Sequence, residues 1–152
     1  MPTHTLRTTA RTVHWGYFDA ALPPAIEIDS GETVVIETIN GAPDRLPKQG
    51  FALLPEYAEV HAAVRPRLPG HIMTGPVAVR GAKAGDVLEV AIDRVELRQD
   101  WGFNIVRPLA GALPNDFDRV QLTHIPLDRE RGVATLAWGA EVPLRPFFGV
   151  MG

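Results

Sequence analysis

The 152-residue sequence contains no cysteine, which excludes a disulfide framework, a zinc centre built on thiolates and a thiol nucleophile. That absence suits a reducing compartment, and a cytoplasmic location is expected. No run approaches the roughly 20 apolar residues of a membrane-spanning helix. The opening stretch MPTHTLRTTARTVHW lacks the apolar core of a secretory signal. An excess of positive charge is missing too: 15 Lys and Arg stand against 18 Asp and Glu, for a net charge of −3 with no basic stripe. Nucleic acids and anionic membranes are therefore poor partners. Serine is confined to Ser30, outside any GxSxG elbow, which argues against a serine hydrolase.

What the chain does have is Gly and Pro, 14 of each, at intervals too short for long helical periods. An all-β domain spanning residues 1–152 is expected, with long loops and one short helix. The clearest strands are Thr33–Ile39 (TVVIETI) and Val87–Ile92 (VLEVAI), rich in Val, Ile and Thr. Each follows a Gly-bearing turn, Asp29–Glu32 and Lys83–Asp86. In the second, Leu88, Val90 and Ile92 share one face and Glu89 and Ala91 the other. Shorter strands are expected at Ala25–Ile28, Val77–Arg80, Glu96–Leu97, Gln121–Ile125 and Val133–Leu136. Pro55 starts a helix that ends before Pro66. Asn40–Gly50 and Arg98–Pro114 read as long loops, and Asp128–Arg131 as a solvated turn.

Two stretches concentrate polar, aromatic and backbone-bending residues: HWGYFDAALPP (14–24) and GHIMTGPVAVRGAKAGD (70–86). With the following IDSGETVVIET, and with LRQDWGFNIVRPLAGALP and HIPLDRERGVATLAWGAEVPLRPFFGVMG further on, they make the chain resemble the N-terminal part of the acetamidase/formamidase family of amide hydrolases. The resemblance implies a jelly-roll-like β-sandwich with additional β structure. It also implies hydrolysis of short linear amides of the formamide and acetamide type to ammonia and a carboxylate. Family members are longer, and the remaining portion contributes acidic and histidine-bearing segments. A homo-oligomer, or a partner supplying that C-terminal portion, is expected. The apolar tail PLRPFFGVMG fits packing against the domain, against a partner, or within a larger protein.

Amide hydrolysis needs an activated water, polarisation of the carbonyl oxygen and a proton for the departing amine. Without a thiol or a serine elbow, water activated by a base or by a divalent metal such as zinc or calcium remains. His14, Asp19 and His71 are the candidate ligands, and with Thr74 and Asp100 the candidate catalytic residues. Each has a plainer reading. His14 can bond loop backbone, Asp19 can cap the turn before Ala20, and His71 and Thr74 can belong to a structural turn with Pro76 starting an edge strand; on the functional reading Gly75 lets a backbone N–H approach a substrate oxygen. Asp100 precedes Trp101 and Phe103, which either wall a small pocket or pack in a core. His124 reads as a satisfied strand histidine. Two other functions compete: a non-catalytic β-sandwich module needing a C-terminal partner, and a sugar-type binding module built on Trp15, Tyr17 and Trp101.

Overall fold

The computed structural model describes residues 2–152. Their contacts gather into two compact units, the first formed by the residues through Asp44 with Leu54–Ile92 and Val150–Gly152, the second by Arg45–Leu53 and Asp93–Gly149.

The first unit carries β1 (Thr3–Leu6), β2 (Val13–Trp15), β3 (Ile26–Ile28), β4 (Thr33–Ile36), the helix α1 (Glu56–Ala63), β5 (Ile72–Thr74) and β6 (Val77–Val79). The strands form three pairs: β1 with β4 and β3 with β6 in parallel, β2 with β5 antiparallel. Leu6, Val13, Trp15, Ile28, Ile39, Tyr57 and Val60 are buried and make its core. The helix follows from its sequence. Pro55 sits at the N-cap and Glu56 and Glu59 occupy the first turn, where acidic groups complement the helix dipole. Tyr57 and Val60 lie on one face and are buried. Two bonds tie that face to the loop after Ile39, from the Tyr57 hydroxyl to the Asn40 carbonyl at 2.7 Å and between His61 Nε2 and the Gly41 carbonyl at 3.0 Å. Val64 turns extended and ends the helix before Pro66.

The second unit holds β7 (Trp101–Val106), β8 (Gln121–Asp128), β9 (Val133–Thr135) and β10 (Glu141–Pro143), an antiparallel sheet in the order β10-β9-β8-β7. Trp101, 2% exposed, is its core residue. Its indole N–H donates to the Ala52 carbonyl at 3.1 Å. Phe103 stands opposite His124 in the register, and Phe51 and His124 lie against the Trp101 ring at centroid distances of 6.3 and 5.7 Å. His124 is satisfied by the Arg45 carbonyl at 2.8 Å. In the β8–β9 turn, Asp128 Oδ1 accepts the backbone N–H groups of Glu130 and Arg131.

Three expectations need correction. Arg98–Pro114 is not all loop, because Trp101, Phe103 and Ile105 alternate with Gly102 and Asn104 and form β7. Glu96–Leu97 forms no strand. Val87–Ile92 also joins no sheet: the Lys83–Asp86 turn closes, with the Asp86 N–H on the Lys83 carbonyl at 3.0 Å, but among the described residues nothing pairs with the stretch it launches. Strand propensity without a neighbouring edge leaves the ladder unmade.

Candidate active site

The β2–β5 ribbon positions the first candidates. Its register sets Val13 opposite Thr74, His14 opposite Met73 and Trp15 opposite Ile72. Side chains alternate along a strand and directly opposed residues share a face. Val13 and Trp15 are buried, so His14 and Met73 stand on the other face. Thr74 is therefore adjacent to His14 in strand pairing but faces away from it. Its hydroxyl lies 3.5 Å from that of Thr8, which donates to the Glu37 carbonyl at 2.6 Å.

His14 is half-buried. Burial pushes its imidazole below the usual range, offset in part by the nearby Gly75 backbone. Its Nδ1 is buried with no partner of hydrogen-bond geometry among the described residues. Burial thus favours the neutral imidazole, the protonation state a general base needs.

Beyond Trp15 the chain bends at Gly16, whose φ is +90°, and Tyr17 folds back. Its ring meets His14 edge-on at 5.4 Å. Arg67 covers the same ring, with its Cζ 4.9 Å from the centroid, and its Nη1 lies 3.9 Å from Asp19 Oδ2. His14 and Asp19 are thus joined by way of Tyr17 and Arg67. Asp19 itself caps its turn, with Oδ1 accepting the Ala21 N–H at 2.9 Å. The loop preceding β5 is strapped to this bend: the Gly16 N–H donates to the His71 carbonyl at 2.9 Å, the Arg67 N–H to the Trp15 carbonyl at 3.1 Å, and the Trp15 indole to the Gly70 carbonyl at 3.1 Å. His71 is held by its backbone, and its side chain is exposed.

The Gly75 N–H is donated to the Thr12 carbonyl at 2.8 Å, so the approach of that N–H to a substrate oxygen, open on the sequence, is already taken up by backbone. Asp100 belongs to the second unit, where its carbonyl accepts the Leu127 N–H at 2.8 Å. It lines an open groove of about 760 Å³ with Leu127, Asp128, Arg131 and Thr135. Arg131 in that groove is engaged by both Glu141 oxygens, at 2.8 and 2.7 Å, so its charge is already matched. Among the described residues no three His, Asp or Glu side chains converge to hold a metal ion. Trp101 is buried in the core of the second unit, and Phe103 beside it is half-buried. Arg67 is the residue that sequence reasoning missed. Its only signal is the Pro66–Pro69 bracket ahead of Gly70, which marks a fixed turn but not its contact with Tyr17.

No helix among the described residues is long and apolar enough to cross a membrane. No curated protein matches this chain at a significant level. A crystal structure of an acetamidase from Bacillus halodurans superposes with a TM-score of 0.61 at 21% identity, over 95% of this chain and 44% of that one. The likeness carries the fold, an all-β jelly-roll-like architecture with additional strands, long loops and one short helix. This chain spans less than half the length of that acetamidase. The profile of the acetamidase/formamidase family matches residues 3–152, and the chain belongs to that family.

Proposed function

We propose that the chain contributes to the hydrolysis of short linear amides of the formamide and acetamide type, with His14 as the base. The observation that carries this reading is the half-buried His14, held neutral by burial, in a chain matched over residues 3–152 by the acetamidase/formamidase family. In the reaction a water molecule loses a proton to the imidazole and adds to the amide carbon. The C–N bond then breaks, and the imidazolium returns the proton to the leaving ammonia. Arg67, stacked over the Tyr17 ring, steadies that ring beside His14, and Asp19 lies 3.9 Å from the guanidinium. Asp19 and His71 are exposed.

The test is ammonia release from formamide and acetamide by purified chain. Activity that falls by about 10²- to 10⁴-fold in His14→Ala supports the assignment. Release that is unchanged in that variant removes it, and no release under any condition refutes the chain as an independent enzyme.

A second reading has its own observation. The chain spans 44% of the acetamidase it superposes on, which favours a β module that becomes competent only with further polypeptide. Activity that appears only on adding such a partner supports it.

A further inference from the structure

The chain has three asparagines, Asn40, Asn104 and Asn115, and the peptide bond after each is held differently. An asparagine side-chain amide can be attacked by the backbone nitrogen of the next residue, closing a five-membered ring, when that nitrogen is unhindered and not hydrogen-bonded. Asn104 lies inside β7 and precedes Ile105, whose branched side chain crowds the nitrogen. Asn115 precedes Asp116, whose N–H is donated to the Leu113 carbonyl at 3.3 Å. Asn40 precedes Gly41, which has no side chain to shield its nitrogen and sits at φ +90°.

The surroundings of Asn40 leave both partners of that ring closure open. Its side chain is exposed. Among the described residues neither that side-chain amide nor the Gly41 N–H enters a hydrogen bond. Both residues lie in irregular chain between the buried Ile39 and the short turn Pro43–Arg45, so no helix or ladder bond has to break first. The carbonyls are the engaged groups: that of Asn40 takes the Tyr57 hydroxyl at 2.7 Å, and that of Gly41 meets His61 Nε2 at 3.0 Å. These are the two bonds that tie α1 to the loop.

We infer that Asn40–Gly41 is a self-modification site, converting slowly to aspartyl and isoaspartyl linkages and loosening α1 as it does so. The Gly41 nitrogen gives its proton to solvent and bonds to Asn40 Cγ. The Cγ–Nδ2 bond breaks, and Nδ2 takes a proton from solvent and departs as ammonia, leaving a cyclic imide. Water then opens the imide. Addition at Cγ gives an ordinary aspartate at position 40, whereas addition at the former main-chain carbonyl routes the chain through Cγ and leaves the old carbonyl carbon as a carboxylate branch. The balance is one water molecule in and one ammonia out. The isoaspartyl product inserts a methylene between the acceptors of Tyr57 and His61, and both products add a negative charge to the loop. Ammonia leaves once per chain with no amide substrate added, so the conversion is independent of His14 and should persist in His14→Ala.

The experiment is incubation of the intact chain without substrate at mildly alkaline pH, folded and in urea, with peptides read by mass for a gain of about one dalton at each asparagine. In the folded chain Asn40 should convert at a rate within about tenfold of that in urea, with Asn104 and Asn115 at least about tenfold slower. Stronger protection of Asn40 by the fold overturns the inference, as does equal conversion at all three positions. The converted chain should melt below the fresh one. Asn40→Gln, at an exposed position and with its amide one methylene too far for the five-membered ring, should keep its thermal midpoint through the same incubation. A converted chain that melts like the fresh one, or an Asn40→Gln chain whose midpoint falls as far as the parent's, overturns the link to α1.

Discussion

A Cβ added to Gly16 would lie 1.9 Å from the Leu68 carbonyl oxygen. The bend that brings Tyr17 over His14 thus exists only because the loop ahead of β5 closes onto bare backbone. Gly16→Ala must both adopt φ near +90° and push that loop away, and strain of each kind costs on the order of 1–3 kcal/mol. The expected outcome is a loss of about 2–5 kcal/mol in denaturant unfolding, with ammonia release falling further than the folded fraction accounts for. An alanine variant as stable as the parent refutes the strap.

Acid should weaken the first unit through two histidines. His14 and His61 are both held below the ordinary value of 6.5 by burial, so the unfolded chain binds more protons than the folded one as pH drops past that value. Stability is complete above about pH 6.5 and declines below it until the lowered folded values are passed. His61 lies against Trp15 and Tyr57, at centroid distances of 6.0 and 5.4 Å. His61→Phe keeps the aromatic packing while removing the titration, so its melting temperature should vary less between pH 7 and 5 than the parent's. An equal slope in the two proteins shows that His61 does not contribute.

The same pH series reads the base. His14 accepts a proton only when neutral, so hydrolysis should persist through neutral pH and fall on the acid side of its lowered value. An acid limb centred at or above 6.5 in the activity profile contradicts a His14 held down by burial.

How far the site was readable from sequence follows from which interactions are local. The Gly16 bend, the Asp19 turn cap and the Pro55 helix start depend on neighbouring residues, and the sequence announces them. β7 was readable in principle, from Trp101, Phe103 and Ile105 at alternate positions, but Pro108 and Gly111 close by made the region look like loop. The faces of the ribbon were not readable at all. That Thr74 turns away from His14 depends on the register between residues some 60 positions apart, and no local pattern encodes it. Val87–Ile92 shows the converse case: local propensity is strong, yet a strand needs a partner.

Trp101 distinguishes a core from a substrate wall. With 2% exposure and its indole bonded to Ala52, truncation to Ala should cost about 3–5 kcal/mol in unfolding. Trp101→Phe, which keeps one aromatic ring but loses the rest of the indole and its hydrogen bond to Ala52, should cost less, about 1–3 kcal/mol. Activity per folded molecule should be unchanged in the Phe variant. A selective rise in KM for acetamide over formamide would instead put the indole against the acyl group.

Asp19 offers the sharpest separation of turn cap from chemistry, because asparagine retains the oxygen that accepts the Ala21 N–H and loses only the charge. The carboxylate is 41% exposed and 3.9 Å from Arg67, a pair that solvent screens heavily. Asp19→Asn should therefore leave the thermal midpoint within about 2 °C of the parent, the shift of well under 1 kcal/mol expected for an exposed pair. Asp19→Ala removes the cap as well and should cost about 0.5–2 kcal/mol. If the carboxylate only steadies Arg67, Asn reduces hydrolysis by less than about tenfold and added salt narrows the difference. A loss of about 10²-fold or more in Asp19→Asn at unchanged stability would make Asp19 itself a proton carrier.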